Sequence, residues 1–164
     1  MERKSPWWRG SRGEWYVIAQ GVLFLLIGLG PRAVPGLAPW REPYASVASL
    51  VGSVLLAAGG ALSIVGLFWL GPRNLTPLPY PRPEAVLVTT GPYAIVRNPI
   101  YTGLISGAFG WALLHHSWPT MIFASMLLVF FDIKTRREER WLCEKFPEYD
   151  AYQQRVRKLI PWVY

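Results

Sequence analysis

A chain of 164 residues allows one domain, and 52% hydrophobic residues with nine Trp is rich for a soluble one. The formal charge of +7 comes with no continuous basic groove pattern, which sets nucleic acid aside as a partner. The single Cys143 excludes an internal disulfide and any cysteine-based zinc site.

The chain opens with a basic, Trp-rich, amphipathic leader that ends at Glu14. Residues 15–30 follow with one Gln and no charge, and predict a first span over 15–31. The long leader and the lack of a clean small-residue cleavage site favour a retained span over a signal peptide. A loop with Pro31, Pro35, Pro39 and Pro43 leads to residues 45–70, which carry no charge at all and form the second predicted span. Gly52, Ala57, Gly59, Gly60 and Gly66 within it suit close helix packing. Residues 71–98 contain six prolines and predict extended chain lying on or between helix ends.

Residues 100–131 again carry no formal charge. One helix over that whole stretch would be roughly 48 Å long, against a hydrocarbon core of about 30 Å. The polar break His115-His116-Ser117-Trp118-Pro119 therefore predicts a tight hairpin, with spans over 99–114 and 118–134. Gly103 and Gly107 give its first arm a small-residue face. His115 and His116 diverge by about 100° as neighbours and read as a wet turn, not a metal site. Past the fourth span, a continuing helix places Phe131, Thr135, Glu138 and Leu142 on one face, with Glu139 and Phe146 on its flank. After Phe146-Pro147, Tyr149, Tyr152, Val156 and Leu159 at helical spacing predict a final interfacial amphipathic helix.

Fifteen of the 17 Lys and Arg fall on one side of this topology, which the positive-inside rule places in the cytoplasm with both termini. The expected fold is an all-α integral membrane protein forming one domain over 1–164. It has four transmembrane helices including a C-terminal helical hairpin, a cytoplasmic extended loop and C-terminal amphipathic helices.

Two polar islands, residues 87–101 and 136–140, flank the hairpin and meet on the cytoplasmic side. No GxSxG, HExxH, P-loop, CxxC or dinucleotide glycine fingerprint is present. Extended backbone beside a helix start, Arg97, Glu138, Glu139 and apolar walls suit a zwitterionic ligand with a planar ring. A structural ion pair of Arg97 with Glu138 is the other reading, and residue chemistry alone does not choose between them.

The segment Thr76-Pro77…Leu87-Val88-Thr89-Thr90-Gly91-Pro92-Tyr93…Arg97-Asn98-Pro99-Ile100-Tyr101 resembles the isoprenylcysteine carboxyl methyltransferase family and its phospholipid methyltransferase relatives. So does Glu138-Glu139-x-x-Leu142 followed by Phe146, Tyr149, Tyr152 and Ile160-Pro161. The resemblance implies S-adenosylmethionine as cofactor, bound within residues 76–164, and a lipidic or small hydrophobic methyl acceptor reaching it from the lipid bilayer. It implies that Leu87, Val88, Gly91, Pro92, Tyr93, Arg97, Asn98, Pro99, Tyr101 and Leu142 enclose the cofactor, with Glu138 and Glu139 at its polar end. Arg97, Glu138 and Glu139 would orient the acceptor or neutralise its charge. The family pattern most often has His where this chain has Asn98, and Asn cannot titrate near neutrality. Membrane sterol reductases that use NADPH share the C-terminal architecture and give a second enzymatic reading. A small non-enzymatic membrane scaffold is a third.

Overall fold

The computed structural model describes residues 14–38, 40–76 and 81–164. The leader cations Arg3, Lys4, Arg9 and Arg12, and Pro39, Pro77 and Pro79, lie outside the described residues. The described chain is helical, with α1 at Glu14–Leu29, α2 at Tyr44–Leu70, α3 at Pro99–Leu114, α4 at Trp118–Lys145 and α5 at Tyr149–Arg155. A 3-10 turn at Gly91–Ala94 interrupts the proline-rich loop expected to be extended. No strand forms among the described residues, and a parallel bridge joins Val96 to Arg157.

α2 and α4 are long and apolar enough to cross a membrane, whereas α1 and α3 are shorter apolar helices. Only 17% of the most apolar window of α2 is buried, so it is no core helix of a soluble domain. Its Val47, Leu50, Val54, Ile64 and Phe68 point outwards, as do Ile122, Met126 and Val129 of α4. The part of α4 suited to lipid is residues 118–131, because Asp132 begins a densely charged stretch.

The break between α3 and α4 is built by local chemistry. Ser117 caps α4, its hydroxyl accepting from the Thr120 amide at 3.2 Å, and Pro119 sits in the first turn where no amide partner is needed. The turn is packed rather than wet: His116 Nε2 lies 3.0 Å from Ser49 Oγ and 2.9 Å from the Ala45 carbonyl, and its ring stacks on Trp40.

α2 and α3 pack backbone to backbone. A Cβ on Gly59 would lie 2.5 Å from the Gly103 carbonyl oxygen, and one on Gly110 2.6 Å from that of Gly52. The expected packing role fits Gly52, Gly59, Gly66 and Gly103, whereas Gly60 faces open space. α1 lies against α4, and Leu23, Ile27, Ile105, Ala124, Leu127 and Phe131 form the core beneath the charged end.

The C-terminal segment corrects the expectation of an amphipathic helix reaching Leu159. α5 ends at Arg155, and Val156 is extended at φ −118° and ψ 137°. The physical reason is competition for carbonyls. Arg97 Nη1 takes those of Gln153 and Val156, at 2.9 and 2.6 Å. The amides of Arg97 and Asn98 take those of Arg157 and Lys158. Leu159 still reaches the core, where it is 3% exposed, but along extended chain.

Candidate functional site

The two polar islands do come together. Gly91 adopts φ +60°, and any side chain there would run into the Trp69 indole, whose Nε1 donates to Thr90 Oγ1 at 3.2 Å. Pro92 stiffens the following 3-10 turn, which buries Tyr93 and lets its hydroxyl donate to the Gly66 carbonyl at 3.3 Å. Val96, 1% exposed, then anchors the chain just before Arg97 and Asn98.

Arg97 faces Glu139. Nε donates to Glu139 Oε1 at 2.8 Å and Nη2 to Oε2 at 3.2 Å, a bidentate pair with both side chains largely buried. Asn98 Nδ2 and Gln153 Nε2 also donate to that carboxylate. Together these bonds tie the loop, α4 and α5 into one block. Pro99 then starts α3, and Tyr101 stacks on Phe131 with ring centroids 4.3 Å apart. Tyr101 Oη donates to Glu138 Oε1 at 2.8 Å.

Beneath this block lies a cavity of about 320 Å³, which falls at the small end of ligand cavities, roughly 300–1,000 Å³. Of the expected site residues, Leu87, Val88, Tyr93, Arg97, Asn98, Tyr101, Glu138 and Leu142 line it. Gly91, Pro92, Pro99 and Glu139 are not among its lining residues; they hold the wall from behind. The helical wheel of α4 thus holds, because Glu138 and Leu142 share the inner face and Phe131 and Thr135 are fully buried below them.

Several lining residues were not singled out from sequence as site residues. Asn74 closes the loop over the cavity, donating from Nδ2 to the Leu70 carbonyl and accepting the Val86 amide at 2.8 Å on Oδ1. Lys145 Nζ holds the same flap through the carbonyls of Arg82 and Pro83. Tyr149 and Tyr152 form an aromatic wall, and Tyr152 Oη donates to the Tyr93 carbonyl. Their spacing was the signal, read there as one face of a surface helix. From the opposite side come Gln20 of α1 and Lys134 of α4, and Lys134 Nζ donates to Gln20 Oε1 at 2.8 Å. The lone Gln of an otherwise apolar span was their signal.

Burial pushes the Glu138 carboxyl up to about 7, although Lys134 and the Tyr101 hydroxyl favour its charged form and Glu139 opposes it. Between the ordinary value of 4.5 and about 7, the folded chain binds more protons at this group than the unfolded chain does. Its contribution to stability is therefore complete below 4.5 and lost as the pH rises through about 7. Thermal unfolding from pH 4.5 to 8 should show the Tm of the parent chain falling relative to that of Glu138→Gln. A pH-independent difference would contradict this.

Comparison with known proteins gives the chain a family. The family model described as phospholipid methyltransferase matches residues 47–149. The nickel-cobalt-cadmium resistance protein NccN of Alcaligenes xylosoxydans xylosoxydans is 29% identical over 150 residues, covering 91% of this chain and 63% of that protein. The protein-S-isoprenylcysteine O-methyltransferase of Schizosaccharomyces pombe is 35% identical over 82 residues, 49% of this chain and 35% of that protein. Methanethiol S-methyltransferase 1 of Bradyrhizobium diazoefficiens is 41% identical over 71 residues, 43% of this chain and 24% of that protein. The match thus spans less than two thirds of the length of each of these relatives. With 47–149 matched, and both polar islands of the cavity within that range, the chain belongs to the phospholipid methyltransferase family.

Proposed function

We propose that this chain is a membrane methyltransferase that uses S-adenosylmethionine and delivers the methyl group to a lipidic or small hydrophobic acceptor. The observation that carries the reading is the cavity itself. It sits at the charged end of an apolar helix bundle, with walls from both polar islands. Relatives named as methyltransferases of a prenylated cysteine and of methanethiol support the activity. Family membership favours a methyl donor over NADPH. One relative is named for nickel, cobalt and cadmium resistance, and among the described residues of this chain no group of three His, Cys, Asp or Glu could hold a metal ion.

The residues present fit this cofactor. Leu87, Val88, Tyr93, Tyr149 and Tyr152 offer apolar and aromatic walls for a purine, and Glu138 and Asn98 offer polar groups for an amine or hydroxyls. The bound cofactor would supply an electrophilic methyl group on a sulfonium. The chain must then align the acceptor and keep water out. Arg97 and Glu139, whose hydrogen bonds already join three elements, serve to position the walls. Asn98 binds without moving protons, which leaves Glu138 as the titratable carboxyl facing the cavity.

We further propose that all four helices α1 to α4 cross the bilayer as one domain, with both termini and the cavity on the cytoplasmic side. The test is incubation of the purified chain with lipid extracts and isotopically labelled S-adenosylmethionine, read by mass spectrometry. Label in a lipid-soluble product supports the reading, and tight binding of NADPH with no labelled product overturns it.

A further inference from the structure

Gln20 is the one amide in α1, and it lies outside the family match at 47–149. It nonetheless reaches into the cavity and holds Lys134, 114 positions away. The Lys134 side chain is 4% exposed, its Nζ 3.8 Å from Glu138 Oε1 and 4.9 Å from the Tyr101 ring centroid. An ammonium so placed is costly to bury and marks a functional position. Among the described residues its one ion-pair partner is Glu138, at 3.8 Å, whereas the other cation lining the cavity, Arg97, holds Glu139 at 2.8 Å.

Three kinds of acceptor atom can take a methyl group here. A thiol sulfur and a carboxyl oxygen react as anions and end neutral, whereas an amine nitrogen ends as a cation. A fixed ammonium in a water-poor wall favours the first two and opposes the third. We infer that Lys134, held in place by Gln20, selects acceptors that react as anions, a thiol or a carboxylic acid on an apolar tail, over amines. This rests on the methyl-transfer reading and names the substrate class of that same site.

The chemistry balances. A thiol first gives its proton to the Glu138 carboxylate, and a carboxylic acid arrives already ionised. A lone pair of the acceptor anion forms the bond to the methyl carbon. The bond from methyl to sulfonium breaks with its electron pair left on the donor sulfur, so one anion and one cation vanish together. Glu138, at about 7, can hold such a proton near neutral pH.

The test uses the full chain in phosphatidylcholine nanodiscs with methyl-labelled S-adenosylmethionine and three probes of equal tail length: octanethiol, octanoic acid and octylamine. Transfer to octanethiol or octanoic acid should exceed transfer to octylamine by on the order of tenfold or more, and the two acid probes tell a sulfur acceptor from an oxygen one. Lys134→Gln should reduce that preference by about tenfold through KM, with Lys134→Arg retaining it and Gln20→Leu shifting it in the same direction. S-adenosylhomocysteine should still bind each variant, a readout that separates a change of selection from collapse of the cavity. Should Lys134→Gln fail to fold, Gln20→Leu on the separate helix decides. Equal or greater transfer to octylamine overturns the inference, as does transfer to none of the probes or an unchanged preference in both variants. Failure of the parent chain to bind S-adenosylhomocysteine removes the underlying reading and this inference with it, whereas binding without the preference removes this inference alone.

Discussion

Arg97→Ala should destabilise the folded chain by about 3–5 kcal/mol and abolish binding in the cavity. Truncation leaves Glu139, 7% exposed, as a buried carboxylate facing Asn98 and Gln153 with no cation. It also releases the carbonyls of Gln153 and Val156 at the end of α5, which Arg97 Nη1 now satisfies. The loss is unlike that of a surface pair, where exposure and screening leave little to remove. Lys at this position keeps the charge but lacks the planar fork that meets both carboxylate oxygens and two carbonyls at once. Arg97→Lys should therefore recover only a minor part of the loss. Thermal unfolding in detergent checks both, and a Tm for Arg97→Ala equal to that of the parent chain would show that the pair is dispensable.

Gly59→Leu should cost about 3 kcal/mol, the upper end for overpacking, and open the cavity on one side. The added Cβ meets the Gly103 carbonyl at 2.5 Å and the Gly107 amide at 2.8 Å, both backbone atoms that cannot turn aside. Relief requires α2 to back away from α3. α2 carries Leu67 and Leu70 of the cavity wall, the Gly66 carbonyl that holds Tyr93, and the Trp69 indole that holds Thr90. Gly60→Leu is the control, since a Cβ there meets nothing within 4 Å. Unfolding curves should separate the two variants clearly, because Leu favours a helix over Gly at both positions and only Gly59 meets backbone, and equal changes in the two would show that the seam does not govern stability.

Much of this was legible because it depends on local pattern. The break at residues 115–119 announced the hairpin, and Ser117 with Pro119 is enough to start a new helix. The helical wheel beyond Phe131 turned Glu138 and Leu142 inwards. What local pattern could not decide was which carboxylate Arg97 meets. Glu138 and Glu139 differ by about 100° around α4, and the choice depends on the direction from which the loop arrives. That direction is set by the bridge of Val96 with Arg157, two segments far apart along the chain. The end of α5 was missed for the same reason, since Tyr149 to Leu159 carries helical spacing to its last residue. Carbonyls claimed by a distant guanidinium override that spacing. Gln20 stood out as a lone amide, but only packing of α1 on α4 could show that its partner is Lys134.

Everything proposed for this chain depends on the cavity between the two islands holding a methyl donor. Isothermal titration of S-adenosylhomocysteine into the purified parent chain and into Leu142→Trp is the sharpest check, because the larger side chain adds bulk to the wall that Leu142 shares with Glu138 while Arg97 and Glu139 themselves are kept. One ligand should bind per parent chain and none should bind the variant. No binding by the parent chain, or equal binding by both, would contradict the assignment.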